Sequence, residues 1–156
     1  MRTLLLLAGF AIAAVGLPQA ALAQSSEAGE GLTGYVQGFN QVFARGEIDR
    51  WIGFWAEGAE RILPSNRQKG LREIRLAYEA LYAAYLEMRL IEQSRTVRGG
   101  EAVVECLFEG VYRSNGNPVS QPVTLTLRFD DAGKITFLRA DFDEEAFLNQ
   151  IRAQRA

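Results

Sequence analysis

The chain has no histidine among its 156 residues and a single cysteine, Cys106. A ring nitrogen that titrates near neutrality is what the commonest general bases, the usual catalytic triads and most transition-metal sites depend on, so those chemistries are excluded. With one cysteine no disulfide can close within the chain, and stability has to come from packing. A strong excess of one charge is also missing. Seventeen basic residues stand against 19 acidic ones, and the basic residues are scattered, leaving no footprint for nucleic acid.

Long apolar runs occur only at the start. Arg2 precedes an apolar run over residues 4–17, then Pro18 and small residues at 21–23 ahead of Gln24. That is the order of n-region, h-region and cleavage site in a secretory signal. The run is too short to span a membrane, and no cysteine follows it that could take a lipid. The expectation is cleavage near Ala23 and a periplasmic or secreted protein without a membrane span. The remaining 133 of 156 residues suit one domain. Residues 24–31 ("QSSEAGEG") are small and polar and predict a disordered leader, with the folded domain over residues 32–156.

Thr33 is expected to cap a first helix carrying Tyr35, Val36, Phe39, Val42 and Phe43. A second helix groups Ile48, Trp51, Ile52 and Trp55 and is expected to stop at Gly58. A brief strand and a turn around Pro64 follow. The spacing of Leu71, Ile74, Tyr78, Leu81, Tyr85 and Met88 predicts a long third helix over residues 70–89. From Ile91 the period becomes two. It turns Val104, Cys106, Phe108, Gly110 and Tyr112 to one face, then Val123, Leu125, Leu127 and Phe129 inward, and residues 134–142 read as the last strand. The prediction is an α+β domain: three helices packed on one face of a curved, mostly antiparallel sheet, with a short C-terminal helix.

The acidic closing segment "RADFDEE" has two readings. Arg139 and Asp141 project from the outer face of the last strand, and Asp143 caps the final helix with Glu144 and Glu145 in its first turn. If the register slips by one residue, Asp141 or Asp143 becomes an acid at the pocket mouth. Cys106 faces inward with no histidine to activate it and reads as a small buried hydrophobe.

The strings "ARGEIDRWIGFWAEGA", "KGLREIRLAYEALYAA", "LRFDDAGKI" and "RADFDEEAF", in that order, resemble the nuclear transport factor 2-like superfamily. That superfamily includes SnoaL-like cyclases, ketosteroid isomerases and limonene epoxide hydrolases. The resemblance covers roughly residues 32–151 and implies a pocket between helices and concave sheet, hosting varied chemistry. The positions matching the polar residues of ketosteroid isomerases are Phe39, Leu63 and Leu125, with Tyr35 one helical turn too early. Those matching the epoxide hydrolase set are Cys106, Phe108 and Ala140. None of these side chains can act as an acid or a base near neutrality.

The expected pocket lining is Phe39, Trp55, Leu63, Tyr78, Cys106, Phe108, Tyr112, Leu125, Leu127, Leu138, Ala140 and Phe142, with Tyr82 and Tyr85 close by. The expected function is binding of a small hydrophobic molecule, without metal or cofactor. Two alternatives stand beside it: an isomerase, cyclase or hydrolase using Asp141 or Asp143 with a tyrosine, and a dimerisation or scaffold module. Leu107, Val111, Ile135 and Phe137 on the outer sheet face predict a homodimer through that face.

Overall fold

The computed structural model describes residues 19–153, so the apolar run of the expected signal sequence lies outside the described residues. In chain order come α1 (Gln19–Gln41), a 3-10 turn (Phe43–Arg45), α2 (Ile48–Ile52), β1 (Trp55–Leu63), β2 (Asn66–Lys69) and α3 (Leu71–Ala84). Then follow β3 (Tyr85–Arg98), β4 (Glu101–Tyr112), β5 (Pro118–Phe129), β6 (Ile135–Asp141) and α4 (Glu144–Arg152). The strands form one open sheet in the order β2-β1-β6-β5-β4-β3, antiparallel throughout except where β1 runs parallel to β6. The expected α+β architecture is the one observed.

Alternation sorts each strand into a covered and an open face. On β4, Ala102, Val104, Cys106 and Phe108 are buried while Glu105 is exposed. The helices close the covered face with aromatic rings. Phe43, Trp51, Trp55 and Tyr78 are almost wholly buried and meet at tilted or edge-to-face angles. Two asparagines fix the helices on the sheet. Asn40 of α1 uses both ends of its amide on the backbone of Leu90, accepting from its N–H at 2.8 Å and donating to its carbonyl at 2.9 Å. This occupies part of the open edge of β3. Asn117, buried in the β4–β5 turn, donates toward the carbonyls of Gln150, Ile151 and Ala153 at the end of α4. Those carbonyls would otherwise have no partner within the helix.

Several local expectations are corrected. Residues 24–31 are not a separate disordered leader but part of α1, with Ala28 and Leu32 buried. Their small side chains let the helix approach the sheet closely: a Cβ on Gly31 would lie 2.9 Å from the Phe129 ring, and the Ser25 hydroxyl accepts from the Gly99 N–H at 3.0 Å. Thr33 is therefore mid-helix rather than a cap, its hydroxyl donating back to the Gly29 carbonyl at 3.1 Å.

The second helix ends at Ile52, and Trp55 opens β1 because the Phe54 carbonyl is captured by the Ile135 N–H at 2.9 Å. The third helix ends at Ala84, so Tyr85 and Met88 belong to a strand. A bulge at Leu86 sets Tyr85 opposite Tyr112 and Met88 opposite Gly110, so two inward residues stand three apart, the spacing of a helix. Gly110 is required there, since a Cβ would lie 2.8 Å from Tyr85 Cδ1 and 3.0 Å from the Glu87 carbonyl oxygen. Finally, Ile135 faces the core at 1% exposure rather than the outer face, because the β5–β6 register shifts between Arg128 and Phe129.

Candidate functional site

The covered face of the sheet is not completely filled. A cavity of about 200 Å³ remains under α1, α3 and α4. Helix α1 contributes Tyr35 and Phe39, strand β1 Arg61 and Leu63, and helix α3 Tyr78 and Leu81. The wall of the sheet is Leu90, Phe108, Gln121, Val123, Leu125, Leu138 and Ala140, and the segment into α4 adds Phe142 and Phe147. Phe142 and Phe147 are half-buried and meet edge-on at 5.6 Å, a position that Asp143 secures by accepting the Ala146 N–H at 2.9 Å as N-cap of α4.

Almost all of this surface is carbon, and among the described residues Arg61 is the one charged side chain in it. Arg61 stands opposite Leu138 on β6 and opposite Gln68 on β2, which turns it inward with the other lining residues. It is 8% exposed. Its Nη1 donates to Gln68 Oε1 at 2.8 Å, and its guanidinium carbon lies 4.7 Å from the centre of the Tyr78 ring. Its Nε is buried without a hydrogen-bond partner. Among the described residues no carboxylate pairs with it; Glu60 next to it is taken by Arg67. Beside this group, burial first and the Tyr78 hydroxyl second raise the Tyr35 phenol well above its ordinary range, while the Arg61 charge pulls the other way. Tyr35 therefore keeps its proton at neutral pH, with its hydroxyl hydrogen-bonded to that of Tyr78. Gln121, also buried, accepts from Gln150 Nε2 at 3.2 Å and donates to the Pro122 carbonyl at 3.3 Å.

Of the expected lining, Phe39, Leu63, Tyr78, Phe108, Leu125, Leu138, Ala140 and Phe142 surround the cavity. Trp55, Cys106, Tyr112 and Leu127 do not. Cys106 and Leu127 are sealed in the core, Trp55 packs against Trp51 and Tyr78, and Tyr112 stacks edge-on against Tyr85 at 5.7 Å. Tyr82 and Tyr85 also stay outside. Burial pushes the Cys106 thiol up to about 11, with Glu92 adding to the effect, so it is no nucleophile near neutrality.

Asp141 is exposed and pairs along its own strand with Arg139 at 2.9 Å, and Asp143 is the helix cap. Neither carboxylate reaches the cavity, which removes the support for an acid at its mouth. Tyr35, Arg61 and Gln121 were missed. Arg61 was findable: in the alternation Ala59, Arg61, Leu63 it occupies an inward position between two apolar residues.

Phe39, Leu63 and Leu125, the three positions matched to ketosteroid isomerases, all reach the cavity and bring only carbon to it. Among the described residues no three Asp, Glu or Cys side chains cluster in a way that could hold a metal ion. Nor, among them, is any helix long and apolar enough to cross a membrane.

Residues 36–138 match the family of the SnoaL-like domain. No curated protein matches the sequence. Solved structures match the fold. A candidate SnoaL-like polyketide cyclase from Jannaschia sp. CCS1 superposes with a TM-score of 0.73 at 19% identity, over 83% of this chain and 94% of that one. TerC, co-crystallised with polyporic acid, gives 0.69 at 18% identity over 81% and 99%. A hypothetical protein of ketosteroid isomerase-like fold from Catenulispora acidiphila DSM 44928, in complex with trimethylamine, gives 0.68 at 14% identity over 78% and 91%. Identities this low establish shared architecture only. With the family match spanning most of the sequence and the fold agreeing, the chain belongs to the SnoaL-like domain family, on the nuclear transport factor 2-like fold.

Proposed function

We propose that this SnoaL-like domain binds a small hydrophobic molecule in the cavity under α1, α3 and α4. The observation that carries the reading is the lining, in which aliphatic and aromatic side chains from three helices and five strands converge on a space left unfilled. Apolar cavities of about 150 Å³ already hold a single aromatic ring, whereas drug-sized pockets start near 300 Å³. A cavity of about 200 Å³ therefore suits a compact ligand of roughly one ring or a short chain. Binding without turnover is the favoured mode, because Phe39, Leu63 and Leu125 offer no proton donor or acceptor and Tyr35 holds its proton.

Native mass spectrometry of the protein, purified gently from its own host, tests this. The expected result is a small-molecule adduct that is lost on denaturation and missing from an Ala140→Phe variant, whose new ring fills the cavity. An adduct retained by that variant would place the ligand elsewhere and refute the reading.

Two further parts of the reading concern location and assembly. Export rests on Arg2, the apolar run and the small residues before Gln24. The expected mature protein in the periplasmic fraction begins at Gln24, and a chain retaining Met1 in the cytoplasm contradicts it. Homodimerisation rests on Leu107, Val111 and Phe137, half-buried on the outer sheet face. Sedimentation is expected to give a dimer, and a monomer at micromolar concentration ends that part.

A further inference from the structure

An arginine keeps its charge at any physiological pH, and taking that charge out of water is unfavourable unless an anion and hydrogen-bond acceptors replace the water. Arg61 is buried with one neutral acceptor, Gln68, and no carboxylate partner among the described residues. The guanidinium has five N–H donors. One goes to Gln68, Nε has no partner, and the side chain forms part of the cavity wall. A purely apolar ligand would leave this group as it is, a cation sealed under carbon.

We propose that the ligand of this cavity is a compact hydrophobic carboxylate, docked on the Arg61 guanidinium with its apolar body among Phe39, Phe108 and Phe142. The inference rests on the reading that the cavity holds a ligand, and it adds the ligand's charge and orientation. A planar guanidinium matches two anionic oxygens in a forked geometry, which a lysine could not reproduce. Tyr35 and Tyr78 line the same cavity as Arg61 and bring the hydroxyl groups beside the guanidinium. The sheet wall and helices add no other charge, so a monoanion neutralises the site where a dianion would overcompensate it.

Calorimetric titration with 3-phenylpropionate and its neutral isostere 3-phenylpropionamide tests this on the mature protein at pH 7. The acid is expected to bind at least about 10-fold more tightly than the amide, the effect of one well-formed charged contact. In Arg61→Met that preference should vanish, with the amide binding as well as before. In Arg61→Lys, which keeps the charge and loses the fork, the acid should bind with intermediate affinity. The acid-against-amide comparison in the unaltered protein needs no variant, so a folding failure cannot mask the answer. Equal binding of both probes would overturn the anion assignment and leave the hydrophobic pocket standing. Binding of neither probe at millimolar concentration would count against both.

Discussion

Replacing Arg61 and Gln68 together by Met and Leu should make the ligand-free protein more stable. The buried guanidinium gives up its hydration, at an effective cost of several kcal/mol for an ion in a protein interior. Two contacts repay part of this. The 2.8 Å bond to Gln68 returns about 1.5–3 kcal/mol, as a hydrogen bond to a charged group does, and the Tyr78 face at 4.7 Å returns up to about 2 kcal/mol. The gains and the cost nearly cancel, so the pair does little for the fold. Met and Leu fill similar volume, remove the ion, and leave no orphaned acceptor. The double variant is expected to gain about 1–4 kcal/mol, the range seen when buried ionic groups are exchanged for well-packed apolar ones. Gln68→Leu alone strands the guanidinium and should lose about 1.5–3 kcal/mol. Urea unfolding followed by tryptophan fluorescence measures both, since Trp51 and Trp55 are at 0% and 1% exposure in the fold. The protein must be stripped of ligand first, because a bound molecule would add its own stabilisation. A double variant less stable than the natural protein by more than about 1 kcal/mol, at an unchanged m-value, would refute the view that Arg61 is retained at a cost to the fold.

Four other outcomes are expected. Cys106 should resist a thiol reagent at pH 8 for as long as the protein stays folded, and rapid labelling of native protein would contradict its burial. Its thiol, pushed up to about 11 by burial, prefers the protonated form in the fold. The stability this adds is complete below about pH 8.5, the value of an exposed thiol, and is lost as pH rises toward 11, so Cys106→Val should flatten the alkaline limb of a stability-against-pH curve. Asn117→Ala should cost about 0.5–1.5 kcal/mol and speed hydrogen exchange in α4, because part-buried carbonyls at the helix end lose their donor. Gly110→Ala should destabilise by about 1–3 kcal/mol by forcing a methyl group against the Tyr85 ring and the Glu87 carbonyl, measured by thermal melting.

The parts of the molecule legible from its sequence are those where one local period governs. The alternation in β4 and β5 located Phe108 and Leu125 on the cavity wall, and Leu138 and Ala140 followed from β6. Where two effects overlap, the sequence misleads. Tyr85 and Met88 continue a helical spacing because a bulge in an antiparallel pair also sets inward residues three apart. The Gly- and Ser-rich residues before Leu32 look too polar to order, yet small side chains are what a helix needs to lie close to a sheet. That hidden stretch of α1 closes over the end of the sheet carrying Leu127, while Trp55 is taken up by Trp51 and Tyr78 and Tyr112 by Tyr85. Arg61 lies at none of the positions matched to the family's polar residues, and only the alternation of β1, which turns its charge inward between Ala59 and Leu63, reveals it.

The most direct test of the central claim, that a small molecule occupies this cavity, is methyl NMR of leucine-labelled protein titrated with 3-phenylpropionate. The methyls of Leu63, Leu81, Leu90, Leu125 and Leu138, which face the cavity, are expected to shift together and saturate, while those of Leu32 and Leu127, sealed in the core, stay near their original positions. Shifts confined to exposed leucines such as Leu76 and Leu86, or none at saturating probe, would contradict it.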